Sequence, residues 1–543
     1  MKRYLMQAIL IFLLIYMLPL GFRPLIAPDE VRYAEIPREM LDTGDWVVPR
    51  LNGVDYFEKP VFGYWINAVS ISLLGENAFA VRLPSAVAAA LAALALFLFM
   101  KRFCLDRLAS AFTALIFLTF MEVNLVATIN VLDSAFSLFM TGALVLFFSG
   151  HMEGNVRKRN AFLALAGVMC GLGFLTKGFI AFAIPLCVVV PFIIWEGRFK
   201  KSCVFLAVPA AFACIIALPW SVMVHLRAPD FWNYFFWTEH IHRFFSSGAQ
   251  HASPFWYFIP VILAGALPWI FLLPSALAGV KKRGTDPIMR FALCWLLLPF
   301  IFFSASSGKL GTYILPCYPP LAIVMAMGLI SYLEDPGGKL FRGSIAIFIL
   351  MLGIAAAGLG VMEMPGLFDR PPYNEAETWK WILLIMGLFL WITFLLLVLK
   401  TSKTGKKIVL FSAAPLIFMA IAQVSLPGSY EEKKAPGRFL LEHADRIGPD
   451  TLIVTNDIER AVCWYYKRND VYVLGGAGEL TYGMKKSGSR LLDMEGLADL
   501  ISESGPKRHV ALIIKSDLYK ICRQKLPKPM FEDIQARFAF AQF

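Results

Sequence analysis

Thirteen separate stretches of this chain are long enough and apolar enough to be read as bilayer crossings, and that feature limits the fold more than any other. A transmembrane helix needs about 20 largely apolar residues. The stretches run near 4–22, 80–100, 108–127, 131–149, 161–176, 178–195, 203–224, 255–280, 288–306, 312–332, 343–362, 379–399 and 407–426. No small-residue cleavage site follows the first, so it reads as a span and not as a removable leader. Only Thr176-Lys177-Gly178 separates the fifth from the sixth, which predicts a tight turn. With 58% hydrophobic and 17% charged residues, the 543-residue chain has too little polar material to clothe one soluble core of this size.

The net charge of +12 is compatible with nucleic-acid binding, but the placement of the basic residues argues otherwise. Every second connection is short and basic: KRFCLDR, NVRKRN, EGRFKK, VKKRG, GGKLFR and LKTSKTGKK. By the positive-inside rule these connections are cytoplasmic, as is the N-terminus with Lys2 and Arg3. The excess orients the chain and contacts anionic lipid, and no nucleic acid is needed to account for it. An odd number of spans then puts the C-terminal tail on the opposite side.

The expected architecture is an α-helical polytopic membrane protein with a small C-terminal α/β domain. Residues 1–426 form the membrane domain, with an outer loop at 23–79, and 427–543 the soluble domain. In the loop, VFGYWINAVSISLLG (61–75) is too short to span and reads as an interfacial helix, with Tyr64 and Trp65 at headgroup level. In the tail, TLIVTN, DVYVLGG and HVALIIKS read as strands and RLLDMEGLADLISES as a helix. LGGAGEL does not fit a phosphate-binding glycine pattern and reads as a turn. Of the nine cysteines, seven lie in or beside apolar runs; Cys463 and Cys522 lie in the tail and are open to pairing.

Ionisable residues concentrate on the outer side: Asp29, Glu30, Arg32, Tyr33, Glu35, Tyr56, Glu58, Lys59, Asp133, Lys177, Glu239, His240, His242, Arg243 and Lys309. Taken singly, each motif has a plain structural reading. Pro28-Asp29 suits a capped helix start with Arg32 and Tyr33 on the same face. YFEKP suits a solvated turn, and Asp133 suits an N-cap. Two histidines in WTEHIHRF fall short of the four ligands of a structural zinc site. Taken together, carboxylates and cations on one side of a membrane suit transfer of a sugar from a lipid phosphate. Arg and Lys stabilise the departing phosphate, and carboxylates stabilise the oxocarbenium-like sugar or accept a proton.

The segment from PDEVRYAEIPREM to YFEKPVFGYW, followed in order by LDSAF, LGFLTKG, FWNYFFWTEHIHRF, SPFWYFIPV, ALPWIFLLP and SSGKLGTYILPCYPPLA, closely resembles the GT-C-type integral membrane glycosyltransferases of the protein-mannosyltransferase superfamily. Within it the resemblance is to the lipid A 4-amino-4-deoxy-L-arabinose transferases. It covers about residues 20–330 and is loose after 430. It implies an inverting enzyme of the bacterial inner membrane, with its tail in the periplasm. Aminoarabinose would pass from undecaprenyl phosphate to lipid A phosphate, giving resistance to polymyxin and other cationic peptides. It further implies a monomer, a divalent metal (zinc) and no nucleotide cofactor.

Residue by residue, Asp29 and Asp133 resemble the catalytic carboxylates. Arg32, Lys59 and Arg243 resemble the residues that hold the lipid phosphate, with Tyr33 and Tyr56 lining the site. Glu58 and His240 resemble the metal ligands, and Lys309, Tyr313 and Tyr318 the border of the lipid cavity. Gly311 stands where the family commonly has proline. The rivals weighed are a polyprenyl-phosphate-hexose transferase acting on protein or another glycolipid, a transporter, and a membrane anchor for the tail. A transporter would place charges near mid-membrane and show repeated halves, and neither is seen.

Overall fold

The computed structural model describes residues 12–104, 107–197, 199, 203–242, 252–281, 286–333, 338–363, 372–487, 490–504 and 509–543. The chain forms two compact units: Met1–Leu20 with Arg82–Ser425, and Gly21–Val81 with Leu426–Phe543. The sequence reading left the first outer loop with the membrane domain, whereas its contacts group it with the tail.

In the first unit, nine helices among the described residues are long and apolar enough to cross a bilayer, or eleven if each of two bent pairs counts as one span. The bent pairs fall in the runs expected as straight spans at 108–127 and 255–280. Leu108–Thr119 and Met121–Ala127 meet at 65°, and Phe255–Gly265 and Trp269–Val280 at 94°. The first break follows from the extended backbone of Phe120 (ψ 134°). The second falls at Ala266-Leu267-Pro268, where proline lacks the N–H that would continue the helix. The run at 178–195 becomes the 16-residue helix Ile180–Trp195. Of the first run, the described part is a short π-helix, Leu13–Met17, and a 3₁₀ turn, Leu18–Gly21.

Helices Asp133–His151 and Gly311–Leu333 lie innermost, whereas Val204–Arg227 turns most of its apolar surface outward. With no hydrophobic drive between helices in lipid, close packing depends on small residues. Gly279 and Gly328 show it: a Cβ on Gly279 would land on the Gly328 carbonyl, and one on Gly328 on the Ala276 carbonyl.

The second unit is built on a sheet. The first loop supplies a hairpin of β1 (Arg50–Leu51) and β2 (Val54–Asp55). The tail supplies β3 (Leu452–Thr455), β4 (Tyr472–Leu474), β5 (Leu491–Leu492), β6 (Val510–Lys515), β7 (Phe531–Ile534) and β8 (Phe538–Gln542). Their order is β5-β4-β3-β6-β8-β7, with β3 to β6 parallel and β8 antiparallel to both neighbours. The three expected strands are present; β5, β7 and β8 were not foreseen. Along β6, Ala511 and Ile513 face one core, while Val510, Leu512 and Ile514 face the other.

The first loop covers one of those faces. Leu25, Val31, Ala34, Ile71 and Val81 join Ile453, Val462, Trp464, Ile513 and Phe540 in one apolar cluster. Asn52-Gly53 closes the hairpin with φ 57° and 69°, the left-handed pair that an Asn-Gly turn supplies. Asn52 Nδ2 donates to the Val471 carbonyl at 2.8 Å, and its Oδ1 accepts from Val471 N at 2.9 Å. Arg490 donates to the Asn52 carbonyl at 2.8 Å. The helix Asp29–Thr43 buries Glu35, Arg38 and Glu39; Arg38 Nη2 donates to Glu35 at 2.6 Å, and its Nη1 pairs with Asp42.

One open question is answered and one expectation needs correction. Cys463 and Cys522 do not pair: each is free and buried, and they belong to different apolar clusters. Tyr64 is buried inside the protein and is not presented to lipid headgroups. In the helix Phe62–Leu74, Tyr64, Ala68 and Ile71 form the buried face, and Val69, Leu73 and Leu74 the exposed one. The helix thus has one buried and one exposed face, with Tyr64 on the buried one.

Candidate functional site

Arg32 is the hub of the polar cluster in the second unit. It lies one turn into the helix Asp29–Thr43, so its side chain returns over the helix start. Its Nη2 pairs with Asp29 and its Nη1 with Glu479, while the guanidinium carbon lies 4.8 Å from the centre of the Tyr33 ring. Asp29 does not act as an N-cap. Pro28 holds that position without a side-chain bond, and Asp29 is half exposed and aimed at Arg32.

Glu479 is the residue that the sequence reading missed. It sits in the turn Gly478–Leu480, past the end of β4. Its Oε2 accepts from Arg32, from Tyr56 Oη at 3.1 Å and from Arg460 Nη2 at 3.1 Å. Arg460 opens the helix that follows β3. Both therefore lie beyond the carboxyl ends of parallel strands, where open α/β sheets present ligands. The only signal available was GGAGEL, which on sequence grounds was simply a turn.

Charge is concentrated here. Burial alone would raise the Glu479 carboxyl pKa, but Arg32 and Arg460, with hydrogen bonds from Arg32 and Tyr56, outweigh it and bring it down to about 2. Burial would lower the Arg32 pKa, but the surrounding Tyr56, Tyr33, Glu479 and Asp29 outweigh that and hold it charged. Burial pushes the Tyr56 and Tyr64 phenols well up, so both remain donors. Three buried donors of this cluster, Arg32 Nε, Arg460 Nε and Tyr64 Oη, have no acceptor among the described residues. Unmet buried donors beside two guanidinium groups suit an anion with several oxygens.

Tyr33 is fixed by its carbonyl, which accepts from Asn67 Nδ2 at 2.9 Å. Glu58 is buried, and Lys59 Nζ donates to the Glu58 carbonyl at 2.8 Å. Of the expected metal ligands, Glu58 belongs to the second unit and the side chain of His240 lies outside the described residues. Among the described residues no three His, Cys, Asp or Glu side chains gather as a metal site. The described donors do not make up a zinc site, and no step below runs through a metal.

The first unit carries a separate cluster. Asp133 begins the helix Asp133–His151 but does not cap it; its Oδ1 binds Lys177 Nζ at 2.7 Å. Lys177 ends the helix Val156–Lys177 and lies 5.3 Å from the centre of the Tyr313 ring and 5.6 Å from that of Phe136. Lys309 is buried and spent on backbone: its Nζ donates to the carbonyls of Ser253, at 2.9 Å, and Ser306. Burial lowers its ammonium pKa. Here it clamps a turn. Tyr318 is fully buried and packs 5.3 Å from the Phe120 ring. Arg243 lies outside the described residues.

Two family models match different parts of the chain. Residues 1–235 match the family model of dolichyl-phosphate-mannose-protein mannosyltransferase, and 431–542 that of the arabinosyl transferase ArnT C-terminal domain. An undecaprenyl phosphate-alpha-4-amino-4-deoxy-L-arabinose arabinosyl transferase of Shewanella sediminis is 41% identical over 479 residues, 88% of this chain and 86% of the relative. Its counterpart in Aeromonas salmonicida is 37% identical over 94% of this chain and 93% of the relative. The crystal structure of ArnT from Cupriavidus metallidurans bound to undecaprenyl phosphate superposes with a TM-score of 0.85 at 22% identity, covering 100% of this chain and 98% of that one. At that identity the superposition establishes the GT-C fold, while the identity and coverage of the relatives establish more: the chain belongs to the undecaprenyl phosphate-alpha-4-amino-4-deoxy-L-arabinose arabinosyl transferase family.

Proposed function

We propose that this protein transfers 4-amino-4-deoxy-L-arabinose from undecaprenyl phosphate to a phosphate of lipid A. The observation that carries the reading is the set of unmet buried donors around Arg32 and Arg460, within a chain whose relatives are named for that donor. The donor phosphate takes the place that Glu479 Oε2 holds between Arg32, Arg460 and Tyr56, or shares it, and meets the free Nε and Oη groups.

In the reaction an oxygen of the acceptor phosphate attacks the anomeric carbon. The bond from that carbon to the undecaprenyl phosphate oxygen breaks, its electron pair leaves with the phosphate, and the configuration inverts. The acceptor oxygen is already ionised at neutral pH, so no base is required. Asp29 holds Arg32 in place and offers its exposed carboxylate to the sugar as positive charge develops there. Asp133, held by Lys177, is the second carboxylate of the proposal. Lys59, Tyr33 and Tyr56 complete the donor-side lining.

The placement follows from the basic connections. The protein lies in the inner membrane with a cytoplasmic N-terminus and a periplasmic tail. Thirteen crossings result when the first apolar run and the short helix Ile180–Trp195 are added to the eleven. It acts as a monomer. Adding an amine to lipid A lowers the negative surface charge and weakens the binding of polymyxin and other cationic peptides.

The test uses purified protein, the lipid-linked aminopentose and lipid A, read by mass spectrometry. The expected product is lipid A heavier by one pentosamine; lipid A of unchanged mass overturns the reading.

A further inference from the structure

A cleft of about 910 Å³ in the second unit belongs to neither polar cluster described above. All of its lining residues lie in that unit. Its walls are the helices Gly428–Lys434 and Gly437–Glu442, the turn between β7 and β8, and the stretch from Gly21 to Pro24. The lining starts where the chain leaves the membrane. Gly21 closes the 3₁₀ turn Leu18–Gly21 of the first apolar run. Gly428 stands four positions after Val424, the end of a helix long and apolar enough to cross a bilayer. Four residues reach at most about 14 Å, which keeps this wall close to the bilayer surface.

The charged side chains of the cleft are mostly engaged. Arg23 is buried and binds Glu30 at 2.8 Å, Arg438 donates to Glu442 at 3.0 Å, and Glu431 also has a partner. One cation and one anion are left over. Neither the Arg537 guanidinium nor the Glu432 carboxylate has an ion pair or hydrogen bond among the described residues, and the two do not reach each other. Both residues are exposed. Lone surface charges are commonly just solvated. These two share their cleft with Phe22 and Leu441, large apolar side chains that are 67% and 58% exposed. One unmet charge of each sign beside exposed apolar surface, close to a bilayer, matches an amphiphile whose head carries both charges.

We infer that this cleft holds the headgroup of a zwitterionic phospholipid with a primary ammonium, of the phosphatidylethanolamine type. The phosphate lies on Arg537 and the ammonium on Glu432, with Phe22 and Leu441 against the glycerol and the first acyl carbons. A guanidinium suits phosphate oxygens through its paired N–H groups. A primary ammonium donates hydrogen bonds to a carboxylate, which a trimethylated choline head cannot do. An anionic glycerol head would leave Glu432 without a partner. The lipid is a ligand of the second unit, separate from the sugar donor and acceptor proposed above.

The experiment gives the full-length protein, delipidated in detergent, equal amounts of phosphatidylethanolamine, phosphatidylcholine and phosphatidylglycerol. Native mass spectrometry reads the lipid retained. The wild type should retain the ethanolamine lipid in preference. Arg537→Gln and Glu432→Gln should each lower that retention roughly 3- to 10-fold without shifting thermal unfolding. Lys433→Gln removes a charge beside the cleft but outside its lining, and should leave retention unchanged. Soluble phosphoethanolamine, which has no acyl chains, should not displace the lipid at equimolar amount. Equal retention of the three lipids, a preference for phosphatidylglycerol, unchanged retention in either cleft variant, or displacement by the soluble headgroup overturns the inference. None of these outcomes bears on the proposed sugar transfer.

Discussion

Arg32 and Glu479 form a largely buried ion pair across 447 positions of sequence. The pair joins the helix that opens the first outer loop to a turn of the C-terminal tail. It makes the tail a builder of the polar cluster around Arg32.

Replacing Arg32 tests the hub. A guanidinium serves Asp29 and Glu479 at once through two different nitrogens, which a lysine ammonium cannot reproduce. Arg32→Lys and Arg32→Gln should both lower kcat for sugar transfer by about 10²- to 10³-fold, the effect of losing one donor to a developing anion. Steady-state assays on the two variants check this, and a lysine variant near wild-type rate would contradict it.

The low pKa of Glu479 carries a pH signature. A carboxyl lowered from an ordinary 4.5 to about 2 adds stability that is fully present above the unfolded value and is lost as pH falls through the folded one. By the usual conversion that is about 3 kcal/mol. Thermal unfolding of the wild type should therefore weaken between these two pH values, and Glu479→Gln should flatten that part of the profile while being less stable at neutral pH.

The hairpin that docks the loop has a steric test. At Gly53, φ is +69° and an added Cβ would lie 2.6 Å from the Asn469 carbonyl oxygen. Gly53→Ala should cost on the order of 1–3 kcal/mol, from strain and displaced backbone together. Limited proteolysis should show faster cleavage of the first loop and tail. Asn52→Ala, which removes both bonds to Val471, should act in the same direction.

In the first unit, Lys177→Met leaves Asp133 without its cation. Truncating one partner of a largely buried ion pair costs about 3–5 kcal/mol. The double variant Lys177→Met with Asp133→Asn should recover stability but not transfer activity, separating the fold contribution of the pair from its chemical one.

Much of this architecture was legible along the chain. Apolar runs and alternating basic connections give the membrane helices, because span length and charge bias are local properties. PDEVRY and YFEKP single out Arg32, Asp29 and Tyr56, and the fold gathers these three in one polar cluster with Glu479. Glu479 stayed hidden because its role depends on contacts over more than 400 positions, and Arg460 because it enters the cluster through Glu479; GGAGEL alone reads as a turn. The capping roles expected for Asp29 and Asp133 failed because Arg32 and Lys177 offered charged partners in place of backbone N–H groups. The two span breaks were masked by hydropathy, which does not register the extended backbone at Phe120.

The most direct measurement is the mass spectrum of lipid A from cells that depend on this protein, comparing wild type with Asp29→Ala. The account predicts pentosamine-modified lipid A in the first and its loss in the second, with the variant protein present at normal levels in the membrane. Modification persisting unchanged in Asp29→Ala would contradict it.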